Sequence, residues 1–128
     1  MIYLDSSVVI AQLLMEERRP PEAMWQQALT SSRLLQYEIW NRIHARGLSA
    51  SHSVEVGNTL ARIYLVEMSP PVLARALRPF PIEVRTLDSL HLATLESLAR
   101  EGETVELASY DNRMLAAARA LGIPIAAV

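Results

Sequence analysis

Asp5, Asp88 and Asp111 are the only aspartates in 128 residues, against eleven glutamates, and each stands where the chain changes character. Asp5 closes the apolar run MIYL, Asp111 follows ELASY, and Asp88 comes directly after Arg85-Thr86-Leu87 at the head of an apolar helical repeat. Carboxylates held within a few ångströms of one another raise each other's pKa, and a hard divalent cation is the usual remedy. Magnesium suits an all-oxygen set, because it takes carboxylate and water ligands and leaves positions open for a phosphate. Zinc or copper would ask for more histidine or sulfur. Helix capping competes with this reading, since Asp5-Ser6-Ser7, Asp88-Ser89 and Asp111-Asn112 each precede an apolar helix. At any single junction the cap is the stronger reading. Serine, threonine and asparagine also cap, however, and capping alone does not explain why the whole aspartate supply goes to three such places.

Glu38 joins them by position, in the first turn of a helix that follows a short strand near Arg33–Leu35. An i,i+4 pair with Arg42 is the plainer explanation, worth about 0.2 to 0.5 kcal/mol. Glu16 and Glu17 are set aside: carried down a helix from Asp5, they would lie roughly 16 Å from it at about 1.5 Å per residue. Ser6 and Ser109 can offer hydroxyls to a metal-bound water or a phosphate, or serve as a turn residue and a strand-end hydroxyl. Arg42 and Arg46 lie on the helical side of Glu38, and Arg85 and Arg113 flank Asp88 and Asp111, where cations would meet a phosphodiester. A solvated helix face is the commoner reason for any one of them. His91, one turn after Asp88, either faces a pocket as an acid or base or, the favoured reading, packs in the core with its nitrogens bonded. Trp25, Trp40 and Tyr37 can stack on bases, although aromatics at helical spacing are more often core.

Positioning these residues on one edge calls for alternating strands and helices. Met1–Leu4 reads as a strand before a helix begun at Asp5, and Glu22–Leu29 as a helix opened by Pro20-Pro21 and ended at Ser31-Ser32. Glu38–Arg46 is a helix stopped by Gly47, followed by a helix from Ser49 or Ser51 to about Arg62. Ile63–Met68 reads as a strand and Pro70–Leu77 as a short helix. The pattern then gives a helix over Asp88–Arg100, a strand over Val105–Ser109, a helix from Asp111 to Gly122, and a closing strand over Ile123–Val128. Such alternation predicts an α/β fold, one domain over residues 1–128, with a mostly parallel central sheet between helical layers. Ligands in such sheets gather beyond the carboxyl ends of the strands, where Asp5 and Asp111 stand.

Composition narrows the chemistry. A chain that is 51% hydrophobic and 20% charged can bury one core. It has no cysteine, which excludes thiolate catalysis and disulfides, and all twelve basic residues are arginine, which excludes lysine-dependent phosphate capture and Schiff bases. A net charge of -2 does not suit a protein that merely coats nucleic acid. Without a signal segment or an apolar run long enough to span a bilayer, a cytoplasmic protein is expected.

The segments YLDSSVVI, YEIWNRIHAR, RTLDSLHLATLES and ASYDNRMLAAARALG, in that order, resemble a PIN domain, most closely a VapC-type toxin of a bacterial toxin–antitoxin pair. The resemblance runs over essentially the whole chain and implies a PIN-like three-layer α/β/α sandwich. By position, Asp5, Glu38, Asp88 and Asp111 match the family's acidic quartet, and Ser109 its hydroxyl residue before the last acid. It further implies an endoribonuclease dependent on Mg2+, or Mn2+, that inhibits translation, forms homodimers and is silenced by a VapB-type antitoxin. Other readings are a catalytically inactive PIN-like module binding protein or RNA, a DNA-directed nuclease, and a receiver-like domain, which the absence of lysine disfavours.

Overall fold

Ile2, Tyr3 and Leu4 form an unbroken apolar triplet buried on both faces, the pattern of a strand inside a parallel sheet. In the computed structural model, which describes residues 1–128, they make β1 (Ile2–Leu4). On one side of β1 lie β2 (Leu29–Ser32) and then β3 (Tyr64–Val66); on the other lies β4 (Glu106–Ala108). All pairings are parallel, with Tyr3 set between Thr30 and Leu107 and Thr30 beside Tyr64. Parallel neighbours need crossovers, which helices supply. These are α1 (Ser6–Leu13), α2 (Leu34–Ala45), α3 (Ser49–Ala61), α4 (Pro70–Ala76), α5 (Thr86–Arg100) and α6 (Asn112–Ala120).

The two-residue period of a strand divides β1 between two cores. Ile2 and Leu4 pack with Val8 and Val9 of α1, Leu35 and Ile39 of α2 and Val56 of α3, while Tyr3 faces Leu92 and Leu95 of α5 and Met114 and Ala117 of α6. The expected α/β/α sandwich results. Its strand order, β3-β2-β1-β4, sends the chain outward from β1 and then back to the other side of β1. Connections leave the carboxyl ends of β1 and β4 in opposite directions, and a crevice opens between them.

Several boundaries differ from the expected ones. Glu22–Leu29 is not a full helix but a 3-10 turn over Glu22–Gln26, and Ser31-Ser32 lies inside β2. Polar composition concealed this strand. Its hydroxyls are buried yet matched: Thr30 Oγ1 donates to the Tyr64 carbonyl at 2.8 Å, Ser31 Oγ donates to the Leu4 carbonyl at 2.7 Å, and Ser32 Oγ accepts from the Leu34 N–H at 3.1 Å. Arg33–Leu35 opens α2 rather than forming a strand, so Glu38 falls in the second turn of its helix. The closing strand shrinks to one bridge, Leu107 to Ile125. Helix α1 ends at Leu13; Met15 then takes a φ of 53°, and the Glu16 N–H returns to the Ala11 carbonyl at 2.9 Å. This is a Schellman ending with methionine at the position usually held by glycine. No helix is long and apolar enough to cross a membrane.

Candidate active site

Asp5 leaves β1 with extended backbone angles and precedes α1, the place of an N-cap, but its carboxylate accepts no backbone N–H of that helix. Its Oδ2 instead accepts from Ser7 Oγ and Ser109 Oγ, both at 2.7 Å. Each serine also ties the neighbouring junction: Ser7 Oγ accepts from the Tyr110 N–H at 2.9 Å, and Ser109 Oγ from the Asp111 N–H at 3.0 Å. Asp5 is 6% exposed, and two hydroxyl donors compensate the burial of its charge. Asp111 behaves differently. Its Oδ1 caps α6, accepting from the N–H groups of Arg113 at 2.9 Å and Met114 at 3.5 Å.

Helix α5 begins at Thr86, two residues before Asp88 was expected to start it. Asp88 therefore lies in the first turn and caps nothing, half-buried where the helix N-terminus favours a negative charge. Burial, followed by the charges of Asp111 and Asp5, pushes its carboxyl above the ordinary carboxylate range. Asp88 thus faces the charges of both other aspartates across the crevice.

Glu38 reaches the same crevice from α2. Its Oε1 lies 2.6 Å from His91 Nε2, and its Oε2 accepts a weak 3.5 Å bond from Ser6 Oγ. His91 is 1% exposed and bonded at both nitrogens, its Nδ1 lying 2.7 Å from the Tyr3 hydroxyl, which agrees with the core reading of this histidine. Arg42, the i,i+4 partner expected for Glu38, makes no ion pair with it; the carboxylate is hydrogen-bonded to His91 instead.

A groove of about 620 Å³ joins these parts, lined by Asp5, Glu38, Asp88 and Asp111 together with Ser6, Ser7, Arg42, Arg85 and Tyr110. Glu16 lines it as well, contrary to its exclusion by helix length, because the turn at Met15 folds the chain back. Five carboxylates against two guanidiniums leave an excess of three negative charges, which a divalent cation would offset. As the side chains lie, no three acids close on a single point. Magnesium does not need that, since it keeps several waters and uses one or two carboxylates, and the oxygen-only set fits it.

Other expected residues lie elsewhere. Ser109 is buried, with its hydroxyl donating to Asp5 and accepting from Asp111. Arg46 is exposed and does not line the groove, and Arg113 borders an adjoining hollow with Arg85 and Asn112. Trp25 belongs to the core, Trp40 packs at its margin on His44, and Tyr37 is exposed; none lines the groove. Tyr110 does, with the Arg18 guanidinium 4.4 Å over its ring. Neither residue was singled out from the sequence, and nor were Ser7 and Tyr3. Serine after aspartate reads as ordinary turn chemistry, and Tyr3 as one more apolar strand residue.

The PIN domain family matches residues 2–121 of the chain. Ribonuclease VapC46 of Mycobacterium tuberculosis (strain ATCC 25618 / H37Rv) is 32% identical over 129 residues, covering 98% of this chain and 96% of that protein. Ribonuclease VapC35 of Mycobacterium tuberculosis (strain CDC 1551 / Oshkosh) is 29% identical over 132 residues, covering 99% of this chain and 96% of its own.

Proposed function

The chain belongs to the PIN-domain family, in its VapC-type branch, and on that premise we propose that it is a metal-dependent endoribonuclease cleaving RNA phosphodiester bonds. One observation carries the proposal: Asp5, Glu38, Asp88 and Asp111, from four separate places in the fold, line a single groove at the carboxyl ends of β1 and β4. A magnesium or manganese ion bound by Asp5, Asp88 and Asp111, directly or through water, would polarise the phosphate and lower the pKa of a water. Ser7 and Ser109 hold the Asp5 carboxylate in place for this task. Glu38 orients the attacking water from the α2 side, and Arg42 and Arg85 draw the phosphodiester towards an otherwise acidic groove. Ser6 lies beside Glu38 and can bond the same water or a phosphate oxygen.

In the cell this activity is that of a cytoplasmic toxin that inhibits translation as a homodimer, neutralised by a cognate VapB-type antitoxin occupying the groove. The first test is cleavage of RNA by the purified chain with magnesium, with a chelator, and with single-stranded DNA in place of RNA. Cleavage that needs the metal, prefers RNA and disappears in Asp88→Asn is the expected result. Expression in bacteria of the native chain beside Asp5→Asn and Asp88→Asn tests the toxin role. Equal growth arrest by all three would sink the catalytic claim and leave a binding module.

A further inference from the structure

We infer that His91, which does not line the groove, is the positioning residue that holds Glu38 in its working orientation, and that Tyr3 selects the ring nitrogen bearing the proton. The inference rests on the ribonuclease reading, because it assigns Glu38 a task there. Tyr3, Ser32, His91 and Glu38 form one directed line of hydrogen bonds across the second core. The Ser32 N–H donates to the Tyr3 oxygen at 3.1 Å, and the Tyr3 O–H donates to His91 Nδ1 at 2.7 Å. His91 Nε2 then carries the hydrogen and donates it to Glu38 Oε1 at 2.6 Å. Tyr3 is fully buried, and its oxygen already accepts from Ser32, so its own hydrogen is the one left to give to Nδ1.

This line does more than satisfy a buried imidazole. A glutamate has three rotatable bonds, and the carboxylates of Asp5, Asp88 and Asp111 in the same groove repel Glu38 towards solvent. Against that, its only other hydrogen bond is the 3.5 Å one from Ser6, at the limit for such a bond. The charge-assisted bond from His91 is short and comes from a ring that the T-shaped packing on Tyr3, 5.7 Å between centroids, cannot let turn freely. With Oε1 held from behind, Oε2 is the oxygen left for a water. His91 follows Asp88 by three residues on α5, so the helix that sets one groove acid also fixes another.

The experiment measures single-turnover RNA cleavage at saturating magnesium for native chain, Glu38→Gln, His91→Leu, His91→Gln and the double variant Glu38→Gln/His91→Leu. Thermal melts are run on each. His91→Leu should lower the rate by about 10- to 100-fold with KM little changed, the range seen when a supporting hydrogen bond behind a site residue is lost. His91→Gln, which keeps an N–H donor, should recover most of the rate, and His91→Leu should cost nothing further once Glu38 is Gln. Should His91→Leu fail to fold, Tyr3→Phe carries the same comparison with a smaller loss. Nitrogen NMR of the metal-free native chain gives a second readout: Nε2 of His91 protonated and Nδ1 not. The opposite tautomer overturns the inference, as do losses that multiply in the double variant. A native chain that cleaves, a Glu38→Gln that cleaves far more slowly, and a His91→Leu that matches native overturn this inference alone. A native chain that cleaves no RNA overturns the ribonuclease reading and this inference with it.

Discussion

The junctions at Asp5 and Asp111 have the same plan, a parallel strand passing through an aspartate with extended backbone into a helix, yet their carboxylates do opposite things. Asp111 caps its helix through two backbone N–H groups, whereas Asp5 leaves α1 uncapped and binds two serine hydroxyls. A missing cap costs a helix about 1 kcal/mol. Helix α1 tolerates that because Val8, Val9, Ala11 and Leu13 are buried, so its stability comes from packing rather than from its end. Identical local sequence logic therefore yields one aspartate that serves the fold and one freed from it. The difference lies in Ser7 and Ser109, side chains whose importance shows only when the two junctions are seen together.

The comparison can be broken at several points. The largest effect is expected from Asp5→Asn, which keeps the hydroxyl contacts and the fold but should lower metal-dependent cleavage by about 10³-fold, equivalent to about 4 kcal/mol of charge stabilisation. A melt that falls sharply while cleavage survives would show Asp5 to be structural after all. Ser109→Ala comes next: it strips a donor from Asp5 and an acceptor from the Asp111 N–H in a buried place. Urea unfolding should register a loss of about 1 to 3 kcal/mol. At Asp111 the two roles separate. Asp111→Ala should destabilise by about 0.5 to 2 kcal/mol, whereas Asp111→Ser keeps the cap and the melt, and both should lose cleavage to a similar degree. If Asp111→Ser cleaves as the native chain does, Asp111 belongs to the helix alone.

A smaller effect concerns pH. Because the Asp88 carboxyl is raised in the fold, chiefly by burial and then by Asp111 and Asp5, it ionises more readily in the unfolded chain. Its contribution to stability is complete below the ordinary carboxylate range and is lost as pH rises through the raised value. In chelator, melts across that window should show the native chain losing ground to Asp88→Asn, with the gap closing again in acid. Magnesium should narrow the gap at neutral pH. A native chain that gains on the variant as pH rises would contradict the crowding of the three aspartates.

Much of this was legible in the residues. Alternating apolar periods gave the layers, and a strand end before each of Asp5 and Asp111 gave the edge. What escaped depends on distant partners or on backbone that leaves no sequence mark. Strand β2 was hidden because Thr30, Ser31 and Ser32 look like a turn until their hydroxyls meet the Tyr64 and Leu4 carbonyls and the Leu34 N–H. The bond between His91 and Glu38 joins residues 53 apart, and that between Tyr3 and His91 residues 88 apart, separations that no local pattern reports. Glu16 was misplaced because its turn carries no glycine.

That turn has a consequence for motion. Helices α2, α5 and α6 end through Gly47, Gly102 and Gly122 at positive φ, and α1 alone ends through a side-chain-bearing residue, Met15, there. The left-handed conformation costs such a residue roughly 1 to 2 kcal/mol, partly offset by the entropy that glycine would lose. The closing bond of this turn, from the Glu16 amide to Ala11, should therefore open more often than the equivalent bonds from Leu48, Glu103 and Ile123. Deuterium should enter at Glu16 first of the four, and Met15→Gly should slow it. One wall of the groove would then breathe on its own clock, independently of the sheet that carries the aspartates.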